Sequence, residues 1–207
     1  DKKFRYYKKE TLVINITDNI KDLWNDISSR ARNMIRKSEK SNLKVSIVKP
    51  NLVWFNQYYD TLQETFKKQK LLAPHSKKFF QDLIILDNTK NLLCLSATIN
   101  DELAAQAIFL KDENRMTYFS GTSNSLGYKY AASSLLLWTS IKYCCKYKIS
   151  EFDLGGTGNK SIDIFKKSFS KNEVVNHQFV YRNYLIIIVE NIIRFLKNKG
   201  LIKIQIV

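Results

Sequence analysis

The stretch from Asn91 to Thr122 constrains this chain more than any other, because three β-prone runs follow one another there with almost nothing between them. Leu92 to Ile99, Leu103 to Leu110 and Met116 to Gly121 are separated only by Asn100-Asp101-Glu102 and by Lys111 to Arg115. Largely apolar runs of strand length, joined by short polar turns, pair with their sequence neighbours as an antiparallel meander. A helical pattern then runs from about Tyr130 to Tyr147, followed by the strand Glu151-Phe152-Asp153-Leu154 and the turn Gly155-Gly156-Thr157-Gly158-Asn159. A short helix from Ser161 to Phe169, a strand near Val174 to Tyr181 and an amphipathic helix from about Leu185 to Lys197 complete the chain. This order predicts an α/β fold with a mixed sheet, antiparallel in the meander and parallel where the helix crosses over. In such sheets the ligand crevice opens at the carboxyl ends of diverging strands, which directs attention to Phe119 to Gly127 and Asp153 to Asn159.

Upstream, Leu12, Ile14 and Ile16 alternate in a short β-prone run, and Thr17 or Asp18 is placed to cap a helix. Leu23, Trp24, Ile27, Ala31, Met34 and Ile35 recur at helical spacing, which predicts one helix from Ile20 to near Ser41 and Asn42. Leu43 to Val48 reads as a strand closed by Pro50. Trp54, Phe55, Tyr58, Tyr59, Leu62 and Phe66 then mark a further helix, and Ser76 caps a short one through Ile84.

With 207 residues, 44% of them hydrophobic, the chain can bury a substantial core. No stretch rich in Gly, Ser and Pro divides it, so a single domain over 1–207 is expected. The formal charge of +15 suits a polyanionic partner, although a composition rich in Lys, Asn and Ile produces part of that excess without one. Three cysteines, two of them adjacent in a helical pattern, form no disulfide framework and fit a reducing cytosol. No apolar run reaches the ~18–20 residues that cross a bilayer. The chain begins on Asp1 instead of Met, as a piece of a longer protein would.

Arg32, Arg36 and Lys40 follow one another at four-residue steps on one helical face, with Asn33 and Lys37 beside them. Like charges so spaced repel unless an anion lies between them, and phosphate pairs bidentately with guanidinium groups. The alternative is a solvated face partly compensated by Glu39. The run from Gly155 to Asn159 has the placement of an anion-binding nest of backbone N–H groups, or of a plain turn that uses glycine for its positive φ. Lys166, between Phe165 and Phe169, is either aimed into a site by its aromatic neighbours or an ordinary surface lysine. Asp153 could accept a proton from an amine, or hold turn N–H groups. His75 and His177 are the only histidines, which argues against a His-rich metal site or a serine triad. The last helix could rest on an anionic membrane or cover a sheet face.

The basic segment Arg30 to Lys40, the run Leu103 to Leu110, the strand end Tyr118-Phe119-Ser120-Gly121, and Phe152-Asp153-Leu154-Gly155-Gly156 followed by Phe165-Lys166-Lys167-Ser168-Phe169 are together similar to the Fem-type (FemABX) peptidyltransferases. The neighbouring Fem-like N-acyltransferases are similar too. The resemblance implies the N-acetyltransferase-like (GNAT) fold, with 1–50 as linking strand, basic helix and strand, and 51–207 as the catalytic core of a second such domain whose predecessor is absent. It implies transfer of an aminoacyl group from aminoacyl-tRNA, or of an acyl group from acyl-coenzyme A, with neither bound tightly as a cofactor. The acceptor it implies is an amine of a phosphorylated cell-envelope precursor for the first donor and an amino-sugar, as a nucleotide sugar or polysaccharide, for the second, met in the cytoplasm.

By the same resemblance Arg32 and Arg36, with Lys37 and Lys40 beside them, lie near a diphosphate. Lys166 lies near the acyl donor or its developing oxyanion, and Tyr118, Ser120 and Gly121 occupy the splayed strand end. Catalytic roles then fall to Lys166, Asp153 and Tyr118, and donor binding to Gly155, Gly156, Thr157 and Gly158. The stretch Thr122 to Ala131 lacks the Gln/Arg-x-x-Gly-x-Gly/Ala turn with which acetyltransferases of this fold cradle the coenzyme A pyrophosphate. A charged module that binds nucleic acid without catalysis is the remaining class, though the basic residues lack interleaved aromatic stacking platforms.

Overall fold

The structure, a computed structural model, describes residues 4–68, 72–87, 90–156, 160–181 and 183–198. In chain order it contains β1 (Phe4–Asn15), α1 (Ile20–Asp26), α2 (Ser29–Lys40), β2 (Lys44–Val48), α3 (Leu52–Lys68), α4 (Lys77–Asp82) and α5 (Ile84–Asp87). It continues with β3 (Leu92–Ile99), β4 (Glu102–Lys111), β5 (Arg115–Ser123), α6 (Ser125–Lys129), α7 (Ala132–Tyr147), β6 (Glu151–Gly156), α8 (Lys160–Lys167), β7 (Glu173–Tyr181) and α9 (Tyr184–Asn198). The strands form one mixed sheet in the order β2-β3-β4-β5-β6-β1-β7. The chain separates into two compact units, Thr11–Val174 and the terminal pair Asp1–Glu10 with Val175–Val207.

The larger unit is built on the expected meander. Strands β3, β4 and β5 pair antiparallel in sequence, and Asn100 and Asp101 both take positive φ (48° and 64°). That is the geometry that lets a tight β-hairpin follow the natural twist of its strands, and asparagine and aspartate tolerate it best after glycine. The helical crossover then returns the chain so that β6 pairs parallel with β5, as a helix between two strands of one sheet requires.

Strand β3 is buried on both faces, and its alternation sorts the core into two layers. Leu93, Leu95 and Ala97 point to a layer formed with Leu23, Ile27, Ala31 and Ile35 of the α1–α2 segment and Leu135, Trp138 and Ile141 of α7. Leu92 and Cys94 point to the other, formed with Trp54, Phe55, Tyr58 and Leu62 of α3 and Phe80 of α4.

Two local expectations need correction. The apolar stripe from Ile20 to Ile35 is not one helix, because the chain breaks at Ile27 and Ser28. Ser28 is extended (φ −61°, ψ 156°) and its hydroxyl accepts the Ala31 N–H at 3.2 Å. A serine whose side chain competes for backbone donors starts a helix more readily than it continues one. The cap of α1 is Asn19, whose side chain accepts the Lys21 N–H at 3.0 Å, and not Thr17 or Asp18.

Helix α6 lies where the sequence pattern predicts no helix. Asn124 sets it, accepting the Gly127 N–H at 3.0 Å and donating to the Leu103 carbonyl at 2.6 Å. A Cβ at Gly127 would collide with the Ala104 carbonyl and the Ser123 hydroxyl, so only glycine fits there.

Helix α2 is tied to the start of α7 by one buried hydroxyl. Ser38 is fully buried, with its Oγ 2.7 Å from the Tyr130 carbonyl, 2.9 Å from that of Ala131 and 3.0 Å from that of Met34. Ala131 enters α7 at a left-handed φ of 56°, a conformation that needs support from its surroundings. Ser38→Ala removes the shared donor, and urea unfolding is expected to show a loss of about 1–2 kcal/mol.

Candidate active site

Strands β5 and β6 stay paired over only three residue pairs, Arg115↔Glu151, Met116↔Phe152 and Thr117↔Asp153. Beyond that point β5 continues to Ser123 against β4 alone, and Gly156 of β6 pairs with Thr11 of β1. The two parallel strands therefore part at their carboxyl ends, and from Tyr118 onward the edge of β5 that faced β6 pairs with no strand among the described residues. An extended amide-bearing molecule can add to such an edge through main-chain hydrogen bonds. A bulge aids the parting: Tyr118 and Ser120 oppose Phe109 and Ile108, so Phe119 is an extra residue in β5.

Lys166 of α8 reaches into this opening. It is 8% exposed, and its ammonium donates to the Gly156 carbonyl at 2.6 Å. Burial holds its pKa below the ordinary lysine value, while Asp163 and Asp153 push the other way. Gly155 borders the approach. Its φ of +78° suits glycine, and a Cβ there would stand 3.3 Å from the Tyr118 carbonyl and 3.5 Å from Lys166 Nζ. Tyr118, Gly155, Gly156 and Lys166, from three separate elements, thus meet at one point. Gly155 and Gly156 belong to the last residues of β6, not to a turn beyond it, whereas Thr157 and Gly158 lie outside the described residues.

Asp153 sits beneath the same point, 5% exposed. One carboxylate oxygen accepts the Gly155 N–H at 2.7 Å, and the other pairs with the Arg115 guanidinium at 2.5 Å. Arg115 also reaches Glu151 at 2.9 Å. The arrangement holds the strand end in the shape that lets Lys166 approach it. Arg115 falls in a stretch that reads as a turn in the sequence, and only the β5–β6 register brings it to Asp153.

Burial pushes the Tyr118 hydroxyl up to about 12, with a further contribution from Tyr128, so it carries its proton at neutral pH. A Cβ at Gly121 would collide with that hydroxyl, so the tyrosine ring lies flat along its own strand. On the α3 side, Tyr58 donates to the Ser120 hydroxyl at 2.5 Å, and Trp54 donates to that of Ser96 at 2.8 Å. Between them Gln106 is 1% exposed, and neither its amide atoms nor the hydroxyl of Thr122 opposite it has a partner among the described residues. A glutamine inside the apolar run Leu103 to Leu110 was the visible signal for this polar row.

The basic face of α2 is divided by the structure. Arg32 is half-buried, and one guanidinium nitrogen lies 3.3, 3.0 and 2.6 Å from the carbonyls of Trp24, Asn25 and Ile27, closing the end of α1. It also lines a cavity of about 290 Å³ with Ser28, Lys167, Ser168 and Lys171, which brings the start of α2 against the end of α8. Arg36 is exposed and lies over the Trp24 ring, 5.4 Å from its centre. Lys37 and Lys40 are exposed further along the helix. Arg32 is thus the member of this face that the fold brings nearest to the Lys166 segment.

A family model described as an acetyltransferase (GNAT) domain matches residues 28–167. No curated protein sequence matches the chain. Among solved structures, FemX is similar with a TM-score of 0.69 at 12% identity, over 84% of this chain and 60% of that one. A conserved protein of unknown function from Bacteroides thetaiotaomicron gives 0.66 at 8% identity, over 87% of this chain and 63% of that one. The C-terminal domain of a putative lysylphosphatidylglycerol synthetase from Agrobacterium fabrum gives 0.60 at 10%, over 95% and 67%. The chain spans less than two thirds of the first two, and at these identities the likeness is one of fold. Together with the family match across well over half of the 207 residues, the splayed parallel strands place the chain: it belongs to the acetyltransferase (GNAT) domain family and is an acyltransferase of that type.

Proposed function

We propose that this chain transfers an aminoacyl group from aminoacyl-tRNA to an amine of a phosphate-bearing cell-envelope precursor in the cytoplasm. The observation that carries the reading is the buried ammonium of Lys166, held against Gly156 where β5 and β6 part. An ester carbonyl laid along the free edge of β5 would present its oxygen to that ammonium. As the amine attacks, the C–N bond forms and negative charge gathers on that oxygen, where a fixed cation stabilises it most. Collapse breaks the ester C–O bond, and the proton that the amine loses ends on the departing ribose oxygen of the tRNA. Asp153 serves as a positioning residue, since both its oxygens already hold the donors that shape the strand end.

Two further observations support this donor and acceptor. The segment between β5 and α7 is filled by α6, and the Gly127 N–H is taken by Asn124, so it does not form an open loop of donors for a coenzyme A pyrophosphate. The net charge of +15 suits both a tRNA and a diphosphate, and the face of Arg32, Arg36, Lys37 and Lys40 is the surface assigned to that diphosphate. On this reading the chain is the second of two such domains in a longer protein. The family match to an acetyltransferase domain favours a second reading, acyl-coenzyme A-dependent N-acylation of a nucleotide sugar or polysaccharide.

The two separate in one assay, which follows labelled amino acid from charged tRNA and labelled acetyl from acetyl-coenzyme A into a nucleotide-linked peptidoglycan precursor and an amino-sugar nucleotide. Aminoacyl transfer with no acetyl transfer is the expected result. Acetyl transfer alone would move the assignment to the second reading, and transfer of neither would remove both.

A further inference from the structure

Helix α9 carries a row of exposed apolar side chains. Tyr184, Ile188, Ile192 and Phe195 recur at steps of four and three, with Leu185 and Val189 beside them, so all six lie on one face. That face is the exposed one: Tyr184 and Leu185 are 69% exposed, Phe195 60%, Val189 53%, Ile192 52% and Ile188 41%. The less exposed side carries Ile187, Ile193 and Glu190, whose side chain is 12% exposed and pairs with Arg5 at 3.3 Å. An uninterrupted apolar face of six large side chains exceeds what a soluble surface ordinarily leaves in water, so this face has a partner elsewhere.

The charge of the unit says which partner. Residues 1–10 and 175–207, the unit to which α9 belongs, carry ten basic against three acidic side chains, a net charge of +7. Two copies meeting through α9 would bring these charges together and repel. An anionic bilayer offers the complement to both features, hydrocarbon for the stripe and negative headgroups for the unit's excess of lysine and arginine. The helix cannot cross, since 15 residues rise only about 22 Å, and no helix of the described residues is long and apolar enough to span a membrane. We propose that α9 is a membrane-interface helix that lies in the plane of an anionic bilayer, with Leu185, Ile188, Val189, Ile192 and Phe195 among the acyl chains. This docking does not depend on the acyl donor or acceptor proposed above.

The test is flotation of the 207-residue chain with vesicles of phosphatidylcholine alone and of phosphatidylcholine with phosphatidylglycerol, alongside sedimentation equilibrium without lipid. Binding is expected for the phosphatidylglycerol vesicles, much weaker for phosphatidylcholine alone, and reduced by raised salt. Ile188→Glu with Ile192→Glu, both at exposed positions and therefore compatible with folding, is expected to lower the bound fraction tenfold or more. Asn191→Gln is expected to leave it unchanged. Failure of the wild-type chain to float with phosphatidylglycerol would overturn the proposal, as would undiminished binding by the Glu pair. A dimer that dissociates on introducing the Glu pair would assign the face to a second copy instead. Because the readout contains no acyl transfer, an error in the donor or acceptor leaves the result intact.

Discussion

Lys166→Met is expected to lower kcat for acyl transfer by about two to three orders of magnitude, the range seen when one donor to a developing oxyanion is removed, while thermal unfolding changes little. Methionine matches the length and apolar stem of lysine, so the space beneath Gly155 stays filled and only the charge leaves. The lost hydrogen bond to Gly156 is offset because a buried ammonium no longer needs to be desolvated. Lys166→Arg is not expected to rescue the activity. A planar guanidinium spreads its charge over a fork and does not reproduce the compact ammonium that donates to the Gly156 carbonyl.

The pH dependence separates this role from a merely structural one. Burial depresses the folded-state pKa of Lys166. A depressed pKa means that the folded protein binds the proton less readily than the unfolded chain, so the group's stabilising contribution is present at high pH and is lost as pH falls through the folded value. Activity has the opposite sign: it needs the ammonium, and it is expected to fall on the basic side at a pH below that at which an exposed lysine titrates. In Lys166→Met that basic limb disappears from the residual rate. A residue that only supported the fold would move the unfolding curve and leave the shape of the pH–rate profile alone.

The largest effect on stability is expected from Asp153→Ala. The carboxylate holds a guanidinium on one oxygen and the Gly155 N–H on the other, and its side chain is only 8% exposed. Alanine strips both donors of their acceptor at once. Arg115 is 39% exposed and keeps Glu151, so water and that second carboxylate recover part of the loss. The remainder is about 2–3 kcal/mol, or a fall in Tm of roughly 5–10 °C for a chain of this size. A double-mutant cycle with Arg115→Ala is expected to be clearly non-additive, because the two side chains share one interaction. Transfer by Asp153→Ala below its Tm is expected to weaken chiefly through KM, since the strand end that receives the donor loses its shape. If Asp153 were instead the base that takes the amine's proton, stability would be nearly unchanged and the acidic limb of the pH–rate profile would vanish.

The hydrophobic period is local information, and it was legible. The short polar breaks between the apolar runs from Leu92 to Gly121 specified three strands, and the stripe in Leu135, Trp138 and Ile141 specified the crossover helix. Their order left little besides a mixed sheet whose parallel strands diverge beside Tyr118 and Gly155. Where a polar side chain turns toward its own backbone, the period misleads. Ile20 to Ile35 keeps one apolar stripe across a break made by Ser28, and Asn124 starts a helix where the sequence shows only polar residues and a glycine.

Site chemistry was legible as residue types and not as roles. Lys166 and Lys167 are the same residue in adjacent positions, yet one is buried against Gly156 while the other is exposed and pairs with Glu173. Helical rotation of about 100° per residue makes that difference, and it depends on which face of α8 meets the sheet. Arg32 and Arg36 likewise share a face by spacing, and only packing turns the first onto the carbonyls that end α1 and leaves the second over Trp24. Asp153 and Arg115 lie far apart in the chain and meet through the register of two parallel strands. By itself, then, the order of residues determined the fold class, the family and the small set of groups able to act, because periodicity and turn chemistry act between near neighbours. The tertiary structure alone decided which lysine is desolvated, which carboxylate is occupied and which helix face is left to solvent, because burial and charge pairing arise only when distant segments close on one another.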